Sequence, residues 1–418
     1  MEDNLSLLVV GSGGREFAIA KALLASPHVS TVYCAPGNVG MKAIGIQTVD
    51  IDEMDLDGLL DFATKNHVAW TFVGPENVLC AGIVDKFHDA GQKIFGPNQR
   101  AAQLEGSKDY ALRFMDKYGV PTAKHETFRS VEDAQEGLRD FGLPVVIKAN
   151  GLAGGKGVVI AHDEETAKQT IADQFQAGQS EVVLEECLVG PEYSLFLVIS
   201  GDQFRVLPMA QDHKRAYDGD KGPNTGGMGA YSPLPQLSAA DHQRMIDETA
   251  KPTVQGLVQG HYDYHGILYI GLMMTADGPK VIEYNVRLGD PETQVVLPRL
   301  QSDFAALVDA AVNGTDLPVV NVNDQAILGV VLAAQGYPQH PQLGIDLGKM
   351  PKAPGITIDY ANVEGTLDHL RGAGGRLMMV MAQADDVQSA QKQVYDYLTK
   401  LDEPHCFYRH DIGNRALQ

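Results

Sequence analysis

Short apolar runs alternate with amphipathic stretches over the first hundred residues, and no other feature constrains the fold of this chain as strongly. The apolar runs are LSLLVV, TVYCA, IGIQTV, AWTFVG and KIFG. Between them, stretches such as 16–24 and 56–66 carry apolar residues at helical spacing. Strands that alternate with helices form βαβ units and require a parallel sheet. The sequence therefore predicts an N-terminal α/β domain with a parallel sheet over residues 1–102.

Size, charge and cysteine content narrow the class of protein further. The 418 residues are enough for about three domains of roughly 150 residues each. Because 33 basic and 54 acidic side chains give a net charge of −21, we expect neither nucleic acid nor a membrane as partner. The four cysteines form no C-x-x-C pair, which is typical of a reducing compartment. The N-terminus has no signal-like apolar run, so we expect a cytoplasmic protein, with no obligate protein partner evident.

The pattern of elements changes after about residue 97. Ser107 can cap a helix over 108–117, which Gly119 and Pro121 close. Residues 123–189 then follow the order strand, glycine-rich loop, strand, helix, strand, which predicts a small α+β lobe. A larger unit is expected from 103–122 and 190–322, and a small C-terminal domain over 323–418.

Three further expectations concern the larger unit. The turn TADG between GILYIGLMM and KVIEYNV predicts an antiparallel hairpin. A long loop is expected over 212–233, because its composition is rich in glycine and charged residues. A helix is expected from about residue 238, with a break near Pro252.

The motif GSGGRE, residues 11–16, follows a predicted strand and opens a predicted helix. Backbone N–H groups at such a position favour an anion, and Arg15 adds positive charge. A glycine needed only for a tight turn would give the same pattern. A dinucleotide site is disfavoured, because Glu16 stands where the third glycine belongs and no acid follows about 20 residues on.

A second glycine-rich segment, KANGLAGGKGVV, lies between two predicted strands and carries Lys148 and Lys156. Its glycines allow close approach of the backbone to phosphates, and the lysines supply charge. It is no Walker loop, since Gly157 stands where a hydroxyl residue is needed. A flexible hairpin loop with incidental lysines is the alternative.

The segment VVLEECLVGPEYS is a strand end that runs into a linker. Such an edge can offer backbone hydrogen bonds to an adenine, and Glu192 can accept from ribose hydroxyls. Glu185 and Glu186 are otherwise typical of a solvated strand end.

The loop QDHKRAYDGDKGPNTGGMGAYSP concentrates charged residues beside glycines. Asp212 with Lys214 and Arg215 suits a small zwitterion or a phosphate, whereas His213 is more often a bystander. Further along, Glu283, Asn285 and Arg287 alternate on a predicted strand and should share one face. A carboxylate, an amide and a guanidinium on one face suit magnesium with a transferring phosphate, although a half-solvated strand could carry them by chance.

These motifs stand together in an order that resembles a known family. GSGGRE, GPNQRAAQLEGSK, KANGLAGGKG, QDHKRAYDGDKGPNTGGMGAYSP and VIEYNVRLGDPETQ are similar to segments of the phosphoribosylamine–glycine ligases of the ATP-grasp superfamily. The resemblance covers nearly the whole chain. It implies an N-terminal pre-ATP-grasp domain, a two-lobed ATP-grasp core and a small C-terminal domain. It also implies ATP and Mg²⁺ or Mn²⁺ as cofactors, with glycine and 5-phosphoribosylamine as substrates.

The resemblance also implies roles for individual residues. For ATP it implies Lys108 and Lys148 at the phosphates, Gly151, Gly154, Gly155, Lys156 and Gly157 in the loop above them, Glu185, Glu186 and Leu188 beside the adenine, and Glu192 at the ribose. For the remaining groups it implies Glu283 and Asn285 as metal ligands, Arg287, Asp212, Lys214, Arg215 and Asp290 as catalytic residues, and Gly13, Gly14 and Arg15 at the substrate phosphate. Phe17, Gly154, Val286 and Leu288 depart from the family pattern, but none of them removes a charged contact.

Three other interpretations stay open from the sequence. The chain could be an ATP-grasp ligase or carboxylase for a different carboxylate. It could be a dinucleotide-dependent oxidoreductase, which the departures in GSGGRE disfavour. It could also bind a nucleotide without catalysis, although Glu283, Asn285 and Arg287 argue for turnover.

Overall fold

The N-terminal part of the chain forms a five-stranded parallel sheet, as the alternating pattern predicted. The computed structural model describes residues 2–152, 157–401 and 404–417. The elements of this part are β1 (Leu5–Gly11), α1 (Gly14–Leu24), β2 (Val29–Pro36), α2 (Val39–Lys42), β3 (Gln47–Thr48), α3 (Leu56–Lys65), β4 (Trp70–Val73), α4 (Glu76–Cys80), α5 (Ile83–Asp89), β5 (Ile94–Phe95) and α6 (Gln99–Gly106). The strand order β3-β2-β1-β4-β5 puts the buried β1 at the centre. The loop after β1 therefore lies at the edge of the sheet where ligands bind in such folds.

Helix α7 (Lys108–Tyr118) leads out of this domain and is bounded as predicted. The Ser107 hydroxyl accepts from the backbone N–H of Tyr110 at 3.2 Å, which satisfies one of the free donors at the helix start. Gly119 ends the helix with φ +68°, a left-handed conformation that favours glycine. Phe114 and Met115 bury one face of the helix.

The small lobe is a four-stranded antiparallel sheet with two helices and its own core. Its elements are β6 (His125–Phe128), α8 (Val131–Gly137), a 3-10 turn (Leu138–Asp140), β7 (Val145–Ala149), β8 (Val158–Ala161), α9 (Glu164–Gln176) and β9 (Val182–Glu186). The strand order is β6-β9-β7-β8. Ile147, Ile171 and Leu184 pack in a core that is separate from the rest of the molecule. The predicted order of strand, strand, helix and strand is confirmed from β7 to β9, whereas β6 and α8 before them were not predicted.

The segment expected as a long loop contains four short strands, so that prediction is wrong. After β10 (Glu192–Ser200) and β11 (Gln203–Val206) come β12 (Gln211–Asp212), β13 (Arg215–Tyr217), β14 (Lys221–Asn224) and β15 (Gly229–Ser232). β13 and β14 form a hairpin, while β12 and β15 pair with each other and β15 pairs with a strand more than ninety residues further on. Strands this short carry little periodic pattern, and their partners are distant in sequence.

The helix after β15 continues past Pro252, where a break was predicted. It consists of α10 (Ala239–Met245), a π-helical turn (Ile246–Ala250) and α11 (Lys251–Gln259). Pro252 stands in the first turn of α11, directly after the π turn. A π turn changes the hydrogen-bond pattern, so the missing proline N–H is accommodated without ending the helix.

The large antiparallel sheet carries the predicted hairpin. It has the order β11-β10-β16-β17, where the last two strands are β16 (His265–Thr275) and β17 (Gly278–Asn285). Gly271 faces Glu283, whereas Leu272 faces Val281, so the register shifts around Ile282. Such a bulge redirects the end of a strand. The chain continues through α12 (Thr293–Val296), a 3-10 turn (Leu297–Arg299) and α13 (Phe304–Val312).

The C-terminal part adds a mixed unit whose main sheet includes strands from the middle of the chain. Its elements are β18 (Ala326–Ala334), β19 (Asp346–Gly348), β20 (Ile356–Tyr360), β21 (Val363–Thr366), β22 (His369–Gly372), β23 (Arg376–Ala384), α14 (Val387–Leu398), β24 (Cys406–Phe407) and a 3-10 turn (Asn414–Leu417). The order β12-β15-β18-β23-β20 joins residues near 211–232 to this sheet. Among the described residues, every helix is too short or too polar to cross a bilayer.

Candidate active site

A cavity of about 820 Å³ lies where the N-terminal domain, the two lobes and the C-terminal part meet. This volume suits a small-molecule ligand. The predicted site residues that line it are Arg15, Lys108, Lys148, Gly157, Glu185, Glu186, Leu188, Glu192, Asp212, Lys214, Arg215, Glu283, Asn285, Arg287 and Asp290. The fold therefore brings together residues from six separate motifs.

Three predicted glycines lie at the margin of this cavity and not in its lining. The Gly13 N–H donates to Glu16 Oε2 at 2.8 Å, so this donor is already used at the start of α1. A side chain at Gly14 would come within 2.7 Å of the Gln294 amide, which requires glycine for close packing. The Gly151 carbonyl accepts a hydrogen bond from Lys108 Nζ. The predicted residues Gly154, Gly155 and Lys156 lie outside the described residues.

Two lysines from different elements face the cavity. Lys148 Nζ lies 2.8 Å from Glu185 Oε2 and donates to the Ile282 carbonyl at 3.0 Å. Lys108, at the start of α7, loses solvent on burial, which lowers its pKa, although Glu283 partly opposes this. Both lysines can therefore present positive charge to an anion with little water between them.

The predicted adenine edge has its two acids in different environments. Glu186 accepts from Lys280 Nζ at 2.8 Å and from the Lys124 N–H at 3.0 Å, and the Lys280 bond lowers its pKa. Glu185 Oε1 is buried and has no hydrogen-bond partner among the described residues. Apolar side chains line the adjoining wall: Leu104, Leu112, Met115, Val146, Ile160 and Met273. A flat heterocycle with a donor group fits between this wall and Glu185.

The acid and amide of β17 lie side by side, as the strand spacing predicted. Asn285 Nδ2 donates to Glu283 Oε1 at 3.3 Å. Burial alone would raise the pKa of Glu283, but Lys214 and Lys148 outweigh it and lower the pKa below its usual value. Arg287 was predicted on the same strand, but β17 ends at Asn285 and Arg287 lies beyond it. The arginine nevertheless donates to Asn285 Oδ1 at 2.9 Å. The three side chains therefore meet.

Two glutamates that the sequence analysis did not identify hold Arg287. Arg287 lies 2.8 Å from Glu105 and 3.1 Å from Glu76, and Glu76 is also 3.6 Å from Arg15. Burial favours the neutral acid, but Arg287 and Arg15 outweigh it and lower the pKa of Glu76 to about 2. Glu76 follows β4 at the edge of the parallel sheet where ligands bind, which is the one signal that could have identified it.

The loop between β12 and β13 presents an ion pair to the cavity, in which Asp212 is buried and Lys214 is half-buried. Lys214 Nζ lies 2.9 Å from Asp212 Oδ2. Burial opposes the charge of Lys214, but Asp212 raises its pKa well above the usual value. Glu292 lies close by, where burial and the charge of Asp212 raise its pKa, and it accepts from the Ser194 hydroxyl at 3.2 Å.

The C-terminal part contributes cavity residues that no motif indicated. Arg376 lies 2.7 Å from Asp290 Oδ2, and Tyr337 accepts from the Gly226 N–H at 2.9 Å. Arg415 also lines the cavity. None of the three has a local sequence pattern that could have marked it.

Family models match three consecutive segments of the chain. They are described as the N domain, the ATP-grasp (A) domain and the C domain of phosphoribosylglycinamide synthetase, over residues 5–105, 106–293 and 327–415. The chain belongs to the phosphoribosylamine–glycine ligase family. Ligases of that name from Lactococcus lactis and Listeria monocytogenes are 50% and 48% identical to it, over 99% of this chain and 100% of theirs.

Solved structures support the same assignment. The crystal structure of phosphoribosylamine–glycine ligase from Thermotoga maritima is 33% identical, with a TM-score of 0.85 over 98% of this chain and 100% of that one. Biotin carboxylase from Campylobacter jejuni is 15% identical with a TM-score of 0.74, over 96% and 91% of the two chains. That second likeness shows a common fold alone. The predicted fold class is confirmed: a parallel-sheet N-terminal domain, an ATP-grasp core and a C-terminal domain.

Membership in the phosphoribosylamine–glycine ligase family decides between the interpretations that the sequence left open. The chain is an enzyme of the ligase class, as predicted. A dinucleotide-dependent oxidoreductase and a non-catalytic regulator find no support in this family.

Proposed function

We propose that the cavity joins glycine to 5-phosphoribosylamine with ATP, giving glycinamide ribonucleotide, ADP and phosphate, a step of de novo purine biosynthesis. The family to which the chain belongs carries this activity in its name. One observation of the structure carries the proposal: Glu283 and Asn285 face the same cavity as Lys108, Lys148 and Lys214. Such a set of side chains suits phosphoryl transfer from a nucleotide.

The reaction proceeds in two steps. A carboxylate oxygen of glycine attacks the γ-phosphorus of ATP, the bond from that phosphorus to the bridging oxygen breaks, and ADP leaves. The amine of phosphoribosylamine then attacks the carbonyl carbon of glycyl phosphate, phosphate leaves, and the amine loses a proton. Phosphorylation is needed because a free carboxylate would have to expel oxide. No protein nucleophile takes part, so catalysis depends on positioning and on neutralising phosphoryl charge.

The nucleotide lies between the two lobes in this proposal. Lys108 and Lys148 bind phosphate oxygens, and Glu192 accepts from the ribose hydroxyls. The adenine lies against the apolar wall next to Leu188, where the unpartnered Oε1 of Glu185 can accept from an amino group. Gly151 and Gly157 are assigned to the ATP phosphates as well, and Gly154, Gly155 and Lys156, which lie outside the described residues, keep the same assignment from the sequence.

Glu283 and Asn285 fit a divalent cation. Magnesium usually takes only one or two carboxylates from a protein and completes its shell with phosphate oxygens and water. The lowered pKa keeps Glu283 ionised. A Cβ at Gly271 on the facing strand would lie 3.2 Å from Glu283 Cγ, so the glycine leaves the glutamate side chain its space. The described residues contain no cluster of three or more acidic, histidine or cysteine side chains suited to a metal, so substrate oxygens would complete the site. Mg²⁺ or Mn²⁺ would supply charge neutralisation at the phosphoryl oxygens.

The remaining cavity residues handle the other two substrates. We assign Asp212, Lys214 and Arg215 to glycine and phosphoribosylamine, and Arg287 to the developing phosphoryl charge. We assign Asp290 to the same reacting phosphoryl group, where its ion pair with Arg376 holds its carboxylate in position. Gly13, Gly14 and Arg15 approach the substrate phosphate from the N-terminal domain.

Organisation and location complete the proposal. The domains are residues 1–102, the large lobe 103–122 and 190–322, the small lobe 123–189, and 323–418. The protein acts in the cytoplasm on small molecules, without nucleic acid, membrane or an obligate protein partner.

An ADP-release assay tests this function. Purified protein is given ATP, a divalent cation, glycine and freshly prepared phosphoribosylamine. We expect ADP only when both substrates are present, with glycinamide ribonucleotide formed in equal amount. Bicarbonate or formate in place of glycine is the control. ADP release that does not depend on glycine, or that follows bicarbonate, would refute the assignment.

A further inference from the structure

The segment 404–417 is fastened to the β13–β14 hairpin by a network of charged side chains. Arg409 is almost fully buried, with 1% of its surface exposed. It donates to the Arg215 carbonyl and to Asp220 Oδ1, both at 3.0 Å, and to Asp411 at 2.7 and 2.8 Å. Asp411 in turn accepts from the Gly219 N–H at 2.8 Å. A buried arginine with this many partners fixes the hairpin against the C-terminal segment.

Asp220 is the centre of the network. Its carboxylate binds Arg409 through Oδ1 and Arg415 Nη2 through Oδ2, at 3.0 and 2.6 Å. Burial opposes its charge, but the bond to Arg415 and the charges of both arginines lower its pKa. Asp220 has φ +54°, a left-handed conformation that is uncommon outside glycine. The hairpin therefore has a left-handed residue at the position whose carboxylate binds Arg409 and Arg415.

The network ends on two arginines that line the cavity, Arg215 and Arg415. Arg215 donates to the Gly222 carbonyl at 2.8 Å and forms no ion pair with any residue in the described ranges. Arg415 bonds to Asp220, which it shares with Arg409. A guanidinium has five N–H donors, so both groups keep most of their donors for a ligand.

Each of the other arginines of the cavity has a carboxylate of its own, whereas Arg415 shares Asp220 with Arg409. Arg15 lies 2.5 Å from Glu16, and Arg287 lies 2.8 Å from Glu105. Arg376 binds both a side-chain and a backbone oxygen of Asp290. Because the whole chain is strongly acidic, an anionic substrate needs a local group of cations with free donors. Arg215 and Arg415 meet that need.

We propose that Arg215 and Arg415 bind the phosphate of the phosphoribosyl substrate, and that Asp220 and Arg409 are the positioning residues that hold them at the cavity. This inference rests on the proposed function and names the group that the C-terminal segment recognises. Paired guanidinium groups match the oxygens of a phosphate monoester. The triphosphate of ATP is assigned to Lys108 and Lys148 on other elements. The sugar phosphate, which Gly13, Gly14 and Arg15 approach from the N-terminal domain, is therefore the anion left for this pair, and the two arginines add the contacts from the C-terminal segment.

The test is the binding of glycinamide ribonucleotide, the stable product that carries the same phosphate, measured by calorimetry beside ATP and glycine. We compare wild-type protein with Arg415→Met and Asp220→Asn. Loss of a charged hydrogen bond corresponds to roughly 10- to 100-fold in affinity. We therefore expect the dissociation constant for glycinamide ribonucleotide to rise at least about tenfold in both variants, while that for ATP changes less than about twofold. Arg415→Lys should recover part of the loss, because it keeps the charge.

Asp218→Asn is the matched control. Asp218 joins the same hairpin to the same segment through His410, at 2.7 and 3.0 Å, but neither residue lines the cavity. This variant should bind the ribonucleotide as wild type does. Thermal unfolding of each variant identifies any loss of folding.

Three results in the variants would overturn the proposal. Unchanged ribonucleotide binding in Arg415→Met and Asp220→Asn would do so, as would weakening confined to ATP or glycine, or an equal loss in Asp218→Asn. Turnover of the wild-type enzyme tests the proposed function by itself. An active wild type with unaffected variants therefore refutes the phosphate assignment of this segment and leaves the proposed function standing. A wild type that neither turns over nor binds the ribonucleotide would refute both.

Discussion

Arg376 in β23 donates two hydrogen bonds to Asp290, one to the side-chain Oδ2 of the aspartate and one to its backbone carbonyl, both at 2.7 Å. The same guanidinium donates to the Gly226 carbonyl at 2.8 Å. One side chain of the C-terminal part thus fixes two loops of the cavity, the one before α12 and the one between β14 and β15. Because both loops carry residues assigned to the substrates, their relative position depends on this arginine.

Arg376→Lys should therefore lower kcat without unfolding the protein. Lysine keeps the charge but lacks the planar fork that bonds to Asp290 and Gly226 together, so the two loops are no longer held in a fixed relative position. We expect kcat to fall about tenfold or more, since small displacements of reacting groups reduce rates strongly. The measurement is steady-state ADP release. Arg371→Lys is the control, because Arg371 forms only an exposed pair with Glu364 at 3.2 Å. Wild-type kcat in Arg376→Lys would contradict this role.

Glu283→Gln should abolish metal-dependent turnover and leave the fold intact. Glutamine has nearly the same shape but lacks the negative charge that attracts a divalent cation. We expect turnover to fall by about 100-fold or more, in line with the loss of one electrostatic contact to the transition state. ADP release is measured against Mg²⁺ and Mn²⁺ concentration. Glu248→Gln, at a half-buried position of the large lobe outside the cavity, should behave as wild type. Full activity of Glu283→Gln would remove the metal assignment.

Lys148→Met should weaken ATP binding and also destabilise the protein. Lys148 and Glu185 form a buried pair at 2.8 Å, so removal of the lysine leaves a buried carboxylate without its partner. Breaking one side of such a pair costs about 3–5 kcal/mol of unfolding free energy. The double variant Lys148→Met with Glu185→Gln should recover most of that stability but not the ATP affinity. Urea unfolding and an ATP titration separate the two effects. An ATP affinity restored in the double variant would disprove the phosphate contact.

His213 should make the protein less stable as the pH falls. Burial, with Arg415 and Arg409 nearby, lowers its pKa to about 4, and neither ring nitrogen has a hydrogen-bond partner among the described residues. A pKa below that of the unfolded chain means that protonation favours unfolding. The free energy of unfolding therefore has its full value above about pH 6.5. It falls by about 3 kcal/mol as the pH falls toward 4.

Urea unfolding between pH 7 and pH 4.5 tests this dependence. His213→Phe fills the same apolar space without a titrating group, so its unfolding free energy should fall less over that range. His88→Gln, at an exposed position in α5, is the control and should keep the wild-type slope. Equal slopes in wild type and His213→Phe would show that another group causes the loss.

Much of the fold follows from local pattern. The alternation of apolar runs and amphipathic stretches is enough for the parallel sheet, and Ser107 with Gly119 is enough for the bounds of α7. The pattern failed over 212–233, where strands of two to four residues pair with partners far away in the chain. It also failed at Pro252, where a π turn absorbs the missing donor.

Residue chemistry and spacing selected most of the charged groups that line the cavity, because phosphates and metal ions require particular side chains wherever the fold puts them, and the family resemblance added Lys108 and Leu188. They did not select Glu76, Glu105, Arg376 or Arg415, of which only Glu76 has a local signal, its position directly after β4. These residues reach the cavity through contacts with residues 86 to 211 positions away in the sequence, as in Arg376–Asp290, Arg415–Asp220 and Arg287–Glu76. A local pattern constrains only neighbours within a few residues on a helix or strand. Which distant charges meet is decided by the packing of whole domains, and only the tertiary structure contains that information.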